Sequence, residues 1–213
     1  MAHDYFDNYI KAIGDPLPKL TKTFESELAF LKTQMNNTSD VLDVGCGVGR
    51  PALDLVNDVK KIIGIDNHQQ MIDFAVNKSV GTENVSFINA DALHMEFPDE
   101  TFDVSFSTYN TVGSLGEGER KKLIAEMKRV TKKGGKVINI TWKCDEQTTE
   151  FLKEYYPSIG IEIEEMSSAR TVTSAGTFVR LSKEELKGYY EEAELKNIEF
   201  FDIEPLWFAV VGT

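Results

Sequence analysis

Cysteine, histidine and cationic side chains are all scarce in this chain, and no apolar run in it is long. Two cysteines in 213 residues, Cys46 and Cys144, rule out a disulfide framework and fit free thiols in a reducing compartment. The three histidines, His3, His68 and His94, are scattered, and no Cys-x-x-Cys pair accompanies them, so no metal centre is expected. No segment approaches the length of a membrane span. The N-terminus, Met1-Ala2-His3-Asp4-Tyr5-Phe6-Asp7, has neither the basic start nor the apolar stretch of a signal peptide. The expected address is therefore cytoplasmic, with no membrane partner.

The shortage of positive charge is the more telling absence. Lys and Arg total 23 against 35 Asp plus Glu, a formal net charge of -12. Nucleic-acid binders draw most of their affinity from clustered cations that neutralise phosphates. The richest basic run, Lys128-Arg129 to Lys132-Lys133, sits at an expected helix end, where it complements the helix dipole. Nucleic acid is not an expected partner. Repeats, low-complexity stretches and domain linkers are missing too, which leaves a single domain over 1–213. An apolar fraction of 41% and an aromatic fraction of 10% suit a packed core.

Near the N-terminus, Phe24, Leu28, Leu31 and Met35 form one helical stripe. Gly14-Asp15-Pro16-Leu17-Pro18 interrupts the pattern ahead of it. Residues 4–13 thus read as a separate short helix bearing Tyr5, Phe6 and Tyr9, within a helical cap over 1–36. From Asp40 onward strands alternate with amphipathic helices. Val41–Val44, Ile62–Ile65, Val85–Ile88, Phe102–Phe106 and Val137–Ile140 read as strands. Met71, Ile72, Ala75 and Val76 mark one helix face; Leu123, Ile124, Met127 and Val130 mark another, closed by Gly134-Gly135. That alternation predicts right-handed βαβ units and a parallel sheet covered on both faces. Ser182-Lys183-Glu184-Glu185 reads as a capping box. Two further strands, Ile198–Phe201 and Trp207–Val211, lie either side of a turn at Glu204-Pro205, a separation that calls for an antiparallel pair. Residues 144–181 carry no clear pattern and read as an insertion.

The chemistry concentrates in Asp43-Val44-Gly45-Cys46-Gly47-Val48-Gly49, a Gly-rich turn between a strand and a helix that opens at Pro51, which is expected to let the backbone pass close to a ligand and to aim free helix N–H groups at it. A dinucleotide fingerprint counted from Gly45 requires a third glycine at position 50, which is Arg; here it falls at Gly49. A Walker loop is excluded, because no Gly-Lys-Ser/Thr follows. Asp43 would repel a pyrophosphate but suits a ligand carrying positive charge.

On these residues the sequence resembles the class I S-adenosylmethionine-dependent methyltransferases, in their small-molecule branch. Asp43-x-Gly45-x-Gly47-x-Gly49 matches that family's first motif, and Asp66-Asn67-x-x-x-Met71 its second. The resemblance implies an α/β Rossmann-like fold: a seven-stranded, mostly parallel sheet with helices on both faces, an antiparallel last strand and an N-terminal helical lid. It implies S-adenosylmethionine as cofactor, released as S-adenosylhomocysteine. Asp66 would then hold the ribose hydroxyls, Met71 would lie against adenine, and Asp91-Ala92 would read the adenine amino group. Cys46 and Thr108 complete the expected cofactor set.

The acceptor site is expected beyond the fourth and fifth strands, where Tyr109, Asn110 and Trp142 are candidates. The nucleic-acid branch carries an Asn/Asp-Pro-Pro-aromatic signature there, and Thr108-Tyr109-Asn110 lacks both prolines. Arg170 and Arg180 flank Thr171-Val172-Thr173-Ser174, and Arg170 is a candidate for an anionic acceptor group. Methyl transfer from a sulfonium needs alignment more than acid–base help, so no catalytic residue is assigned. The expected activity is methylation of a small molecule on N, O or C by a monomer or homodimer. A protein or tRNA methyltransferase, a non-catalytic cofactor-binding relative and a nicotinamide-dependent enzyme stay open.

Overall fold

A computed structural model describes residues 16–213 together with residues 7, 10 and 13. Of the helix read over 4–13, only residues 7, 10 and 13 are described, and Tyr5, Phe6 and Tyr9 lie outside the described residues. Thereafter the chain runs α1 (Pro18–Gln34), β1 (Asp40–Val44), α2 (Arg50–Asp54), β2 (Lys61–Asp66), α3 (Gln69–Lys78), β3 (Val85–Asn89) and β4 (Phe102–Ser107). A 3-10 turn (Thr111–Ser114) leads to α4 (Glu117–Val130), β5 (Thr131–Trp142) and α5 (Glu146–Ser158). Then come β6 (Ile163–Met166), β7 (Arg170–Thr173), β8 (Gly176–Val179), α6 (Lys183–Glu192), β9 (Glu199–Ile203) and β10 (Trp207–Gly212).

Seven strands form one sheet in the order β3-β2-β1-β4-β5-β10-β9. The first five are mutually parallel, while β10 runs antiparallel to both β5 and β9. This is the expected Rossmann-like sheet with its reversed final hairpin. Alternate residues of each strand feed two cores. Val41, Ile138, Ile140, Trp207 and Ala209 pack with α1, α2, α3 and α5; Leu42, Val44, Val137, Phe208 and Val210 pack with α4 and α6. Burial on both faces explains why these strands read as unbroken apolar runs. The chain order reverses at β1/β4, and a crevice opens there beyond the strand C-termini.

Three local readings change. The buried face of α1 is Leu20, Thr23, Glu27 and Leu31, with Phe24 and Leu28 only half-buried beside it, so a carboxylate sits inside the apolar stripe. Strand β5 begins at Thr131, directly after α4; the Gly134-Gly135 pair does not end the helix but lies in a bulge opposite Phe102–Val104. Gly134 takes φ +76°, and a Cβ on Gly135 would lie 2.6 Å from the Asp103 carbonyl oxygen. Residues 144–181 are structured: α5 is followed by an antiparallel sheet β6-β7-β8. Its opening signal was present, because Asp145 caps α5 by accepting the Thr148 N–H at 2.7 Å.

The capping box of α6 forms as read, with Ser182 N–H donating to Glu185 and Glu185 N–H to the Ser182 hydroxyl. Arg180 is buried in the insertion and donates to the Ser168 carbonyl and the Thr171 hydroxyl, both at 2.7 Å, and to the Ser167 carbonyl. It ties β7 and β8 to the loop before them. No helix among the described residues is long and apolar enough to cross a membrane.

Candidate functional site

The Gly-rich turn follows β1 and is held against β2. Gly45 and Cys46 N–H both donate to the Ile65 carbonyl, Gly49 N–H to the Cys46 carbonyl, and Gly47 N–H to Asp66 Oδ2 at 2.9 Å. The amides expected to face a ligand are thus consumed within the protein. A nest of free N–H groups, such as a phosphate needs, is not what these glycines build. Their purpose is close approach: Gly45, Gly47 and Gly49 all adopt positive φ, and a Cβ on Gly45 would come within 2.7 Å of Thr111. Helix α2 is a single short turn with Pro51 in its first two positions.

Beside the turn lies a cavity of about 340 Å³. Of the residues named from the sequence motifs, Gly45, Gly47, Asp66, Asn67, Met71, Asp91 and Ala92 line one end. His68, Leu93, Leu115, Glu119 and Leu123 join them. Tyr109, Asn110 and Trp142 line the other end, together with Tyr155, Tyr156, Ile159, Ile161 and Phe178 from the insertion and the segment after α5. The aromatic half is internally packed: Tyr109 and Trp142 have ring centroids 5.9 Å apart, and Tyr156 and Phe178 likewise stack at 5.9 Å. The Tyr109 and Tyr155 hydroxyls hydrogen-bond to each other.

Five named residues fall off this wall. Asp43 is fully buried beneath the turn, Cys46 points into the core, and Gly49 backs onto Phe87. Thr108 is buried, with its carbonyl accepting the Thr111 hydroxyl at 2.9 Å. Arg170 is exposed at the start of β7, away from the cavity, so the guanidinium considered for an anionic acceptor does not reach it. The reason is the register of β7, which points Thr171 and Thr173 inward and leaves Arg170 outside.

The residues missed in the sequence come from two sources. Tyr155, Tyr156 and Phe178 belong to the insertion, whose place over the sheet end no local pattern announces. Glu119 lies three residues after Gly116, whose N–H it accepts at 2.8 Å, a half capping box that was legible.

Charge on the wall is one-sided. Asp66, Asp91 and Glu119 line the cavity, and among the described residues no Lys or Arg lines it. Asp66 accepts from Gly47 and from His68 N–H at 2.9 Å, which sets its carboxylate at the crevice mouth. Asp91 accepts from Leu93 N–H and pairs with His94, and those bonds hold its carboxyl below the usual range. Beneath the turn, burial drives the Asp43 carboxyl well above its ordinary pKa, with the Arg50 charge opposing and the Glu27 and Asp66 charges reinforcing. Arg50 pairs with the buried Glu27 at 2.6 Å and lies 3.9 Å over the Phe24 ring. Consumed amides and a wall that, among the described residues, carries carboxylates and no Lys or Arg fit the sulfonium and ammonium of S-adenosylmethionine and disfavour a dinucleotide.

Comparison with known proteins agrees with this geometry. A methyltransferase-domain family model matches residues 41–135. A demethylmenaquinone methyltransferase of Staphylococcus aureus (strain JH9) is 30% identical, over 92% of this chain and 86% of that protein. Among solved structures, an S-adenosylmethionine-dependent methyltransferase of Aquifex aeolicus superposes with a TM-score of 0.70 at 22% identity, covering 96% of each chain. Haemonchus contortus phosphoethanolamine N-methyltransferase 2, solved with S-adenosylmethionine, superposes at 0.66 with 16% identity, over 89% of this chain and 52% of that one.

Proposed function

The chain belongs to the S-adenosylmethionine-dependent methyltransferases, and from that premise we propose that it methylates a small, largely apolar ring compound. The observation that carries the reading is the two-part cavity. A carboxylate-lined half around the glycine turn opens into an uncharged half walled by Tyr109, Trp142, Tyr155, Tyr156 and Phe178. A flat apolar acceptor gains from such a wall by burial and by ring stacking. The relative named a demethylmenaquinone methyltransferase supports the same size and polarity of acceptor. The acidic balance favours it over nucleic acid. In this reading the chain is one domain, and 144–181 is its acceptor-side insertion.

The cofactor supplies an electrophilic methyl on a good leaving group. What remains for the protein is to align the acceptor and shed water. Asp66 would hold the ribose hydroxyls, Met71 and Ala92 would flank adenine, and Asp91 would accept from its amino group. The β4 and β5 ends would set the acceptor's distance through Tyr109, Asn110 and Trp142, while Tyr155 and Tyr156 of α5 and Phe178 of β8 wall the apolar half.

Two measurements test this. Labelled S-adenosylmethionine, offered with an extract split into small-molecule and macromolecular fractions, should transfer label into organic-soluble small molecules. Label confined to protein or RNA would overturn the proposed acceptor class. Asp66→Ala should weaken cofactor binding by about 1.5–3 kcal/mol, roughly 10- to 100-fold, because a charged acceptor is stripped from paired donors. Calorimetry giving wild-type affinity for that variant would remove Asp66 from the cofactor site.

A further inference from the structure

We infer that Glu119 is a specificity residue for the base of the methyl donor: its carboxylate accepts one N–H of the adenine 6-amino group, across a slot from Asp91. The inference rests on the seat proposed above for adenine, beside Ala92 and Asp91, and gives that seat a second acceptor.

Glu119 comes from the first turn of α4, an element that carries no part of either cofactor motif. Its side chain is exposed and lines the cavity. Its Oε2 accepts Gly116 N–H at 2.8 Å, which holds the carboxylate at the start of the helix. Its Oε1 makes no hydrogen bond or ion pair among the described residues.

The packing places this carboxylate opposite the loop after β3. Leu123, one helical turn beyond Glu119, lines the same wall. Lys122, between them in the chain, meets His94 Nε2, and His94 Nδ1 lies 2.9 Å from Asp91 Oδ2. Those contacts tie the start of α4 to the loop that carries Asp91. Ala92, Leu93, Leu115 and Leu123 belong to one apolar cluster and also line the cavity. Asp91 and Glu119 are exposed, so two carboxylates stand at the rim of an apolar slot suited to a flat base.

The chemistry of adenine calls for both. Its ring nitrogens only accept, and a carboxylate repels them; the 6-amino group alone donates, through two N–H bonds. Asp91 already accepts Leu93 N–H at Oδ1, at 2.8 Å, and faces His94 at Oδ2. Half of its acceptor capacity is thus spent on its own loop. An amino N–H left without a partner beside leucine side chains weakens binding, and Glu119 Oε1 supplies the missing acceptor.

The test is calorimetry on the full chain with two ligands, S-adenosylhomocysteine and the same molecule carrying unsubstituted purine in place of adenine. Wild type should prefer the adenine ligand by about a hundredfold, roughly tenfold from each carboxylate. Glu119→Gln should cut that preference to about tenfold, while affinity for the purine ligand stays within about twofold of wild type. Glutamine completes the same capping box, so α4 keeps its first turn. Its one carbonyl oxygen cannot serve Gly116 and the amino group together, and its NH2 meets an amino group badly. An undiminished preference in Glu119→Gln, or an equal loss of both ligands, overturns the role of Glu119 alone and leaves it a helix cap. Wild type binding both ligands equally overturns the whole adenine seat, the proposed role of Asp91 included.

Discussion

Arg50→Met is expected to destabilise the fold by about 3–5 kcal/mol, the usual cost of removing one partner from a buried ion pair. Against a domain stability of about 5–15 kcal/mol that is a large share. Arg50 pairs at 2.6 Å with Glu27, whose side chain is wholly inaccessible, and its charge also opposes the burial of Asp43. Methionine keeps length and packing on Phe24 but leaves two carboxyls in an apolar interior without a cation. The pH dependence separates charge from packing. Burial raises both the Glu27 and the Asp43 carboxyl above their ordinary values, so the folded state holds these protons more tightly than the unfolded chain does. Their contribution is therefore fully present below the ordinary carboxylate range and is lost as pH rises through the raised folded values. Without Arg50 those values rise further and the loss deepens. Urea denaturation should show a penalty that is largest near pH 8 and shrinks toward pH 5. A penalty equal at both would mean that Arg50 stabilises by its contact with Phe24 and not by its charge.

Gly45→Ala is the second large effect. At φ +72° an L-residue is strained by roughly 1–2 kcal/mol. The new Cβ would also lie 2.7 Å from Thr111 Cγ2 and 2.8 Å from its Oγ1, an overpacking contact worth about 1–3 kcal/mol more. Gly45 and Thr111 both line the cavity, so the displacement falls in its wall. Stability should drop by about 2–5 kcal/mol, the two costs combined. Affinity for S-adenosylmethionine should fall at least about tenfold, as expected when binding-site groups are moved by a few tenths of an ångström. Gly81→Ala is the control. Its φ is +88°, but nothing lies within 4 Å of the added Cβ, so it carries strain alone. Equal effects of the two substitutions on cofactor affinity would show that the Thr111 contact has no part in the site.

Local chemistry made the first motif legible. Three glycines at two-residue spacing behind a carboxylate permit one kind of turn, and the turn's φ values bear this out. The strand–helix alternation was legible for the same reason, since strands buried on both faces must be apolar throughout. The function assigned to the glycines was only half right. Spacing shows that the backbone can come close to a ligand, but not that its N–H groups are free. Those groups are taken by Ile65, Cys46 and Asp66, partners that exist only once β2 lies beside β1.

Glu27 shows the opposite failure. A charged residue in an apolar helical stripe reads as surface, and only the approach of Arg50, 23 positions further along, makes its burial tolerable. The aromatic part of the cavity was least visible of all. Tyr155, Tyr156 and Phe178 lie in a stretch with weak periodicity, and Arg170 looked the better candidate because charge is conspicuous in a sequence. From the sequence alone came the sheet, the methyl donor and the carboxylates that suit it, because each depends on residues close together in the chain. Which side chains line the uncharged part of the cavity was decided by β4, β5 and the insertion meeting at one sheet end. That meeting joins residues 32 to 69 positions apart, from Tyr109–Asn110 to Trp142 and Phe178, and no local pattern encodes a contact of that range.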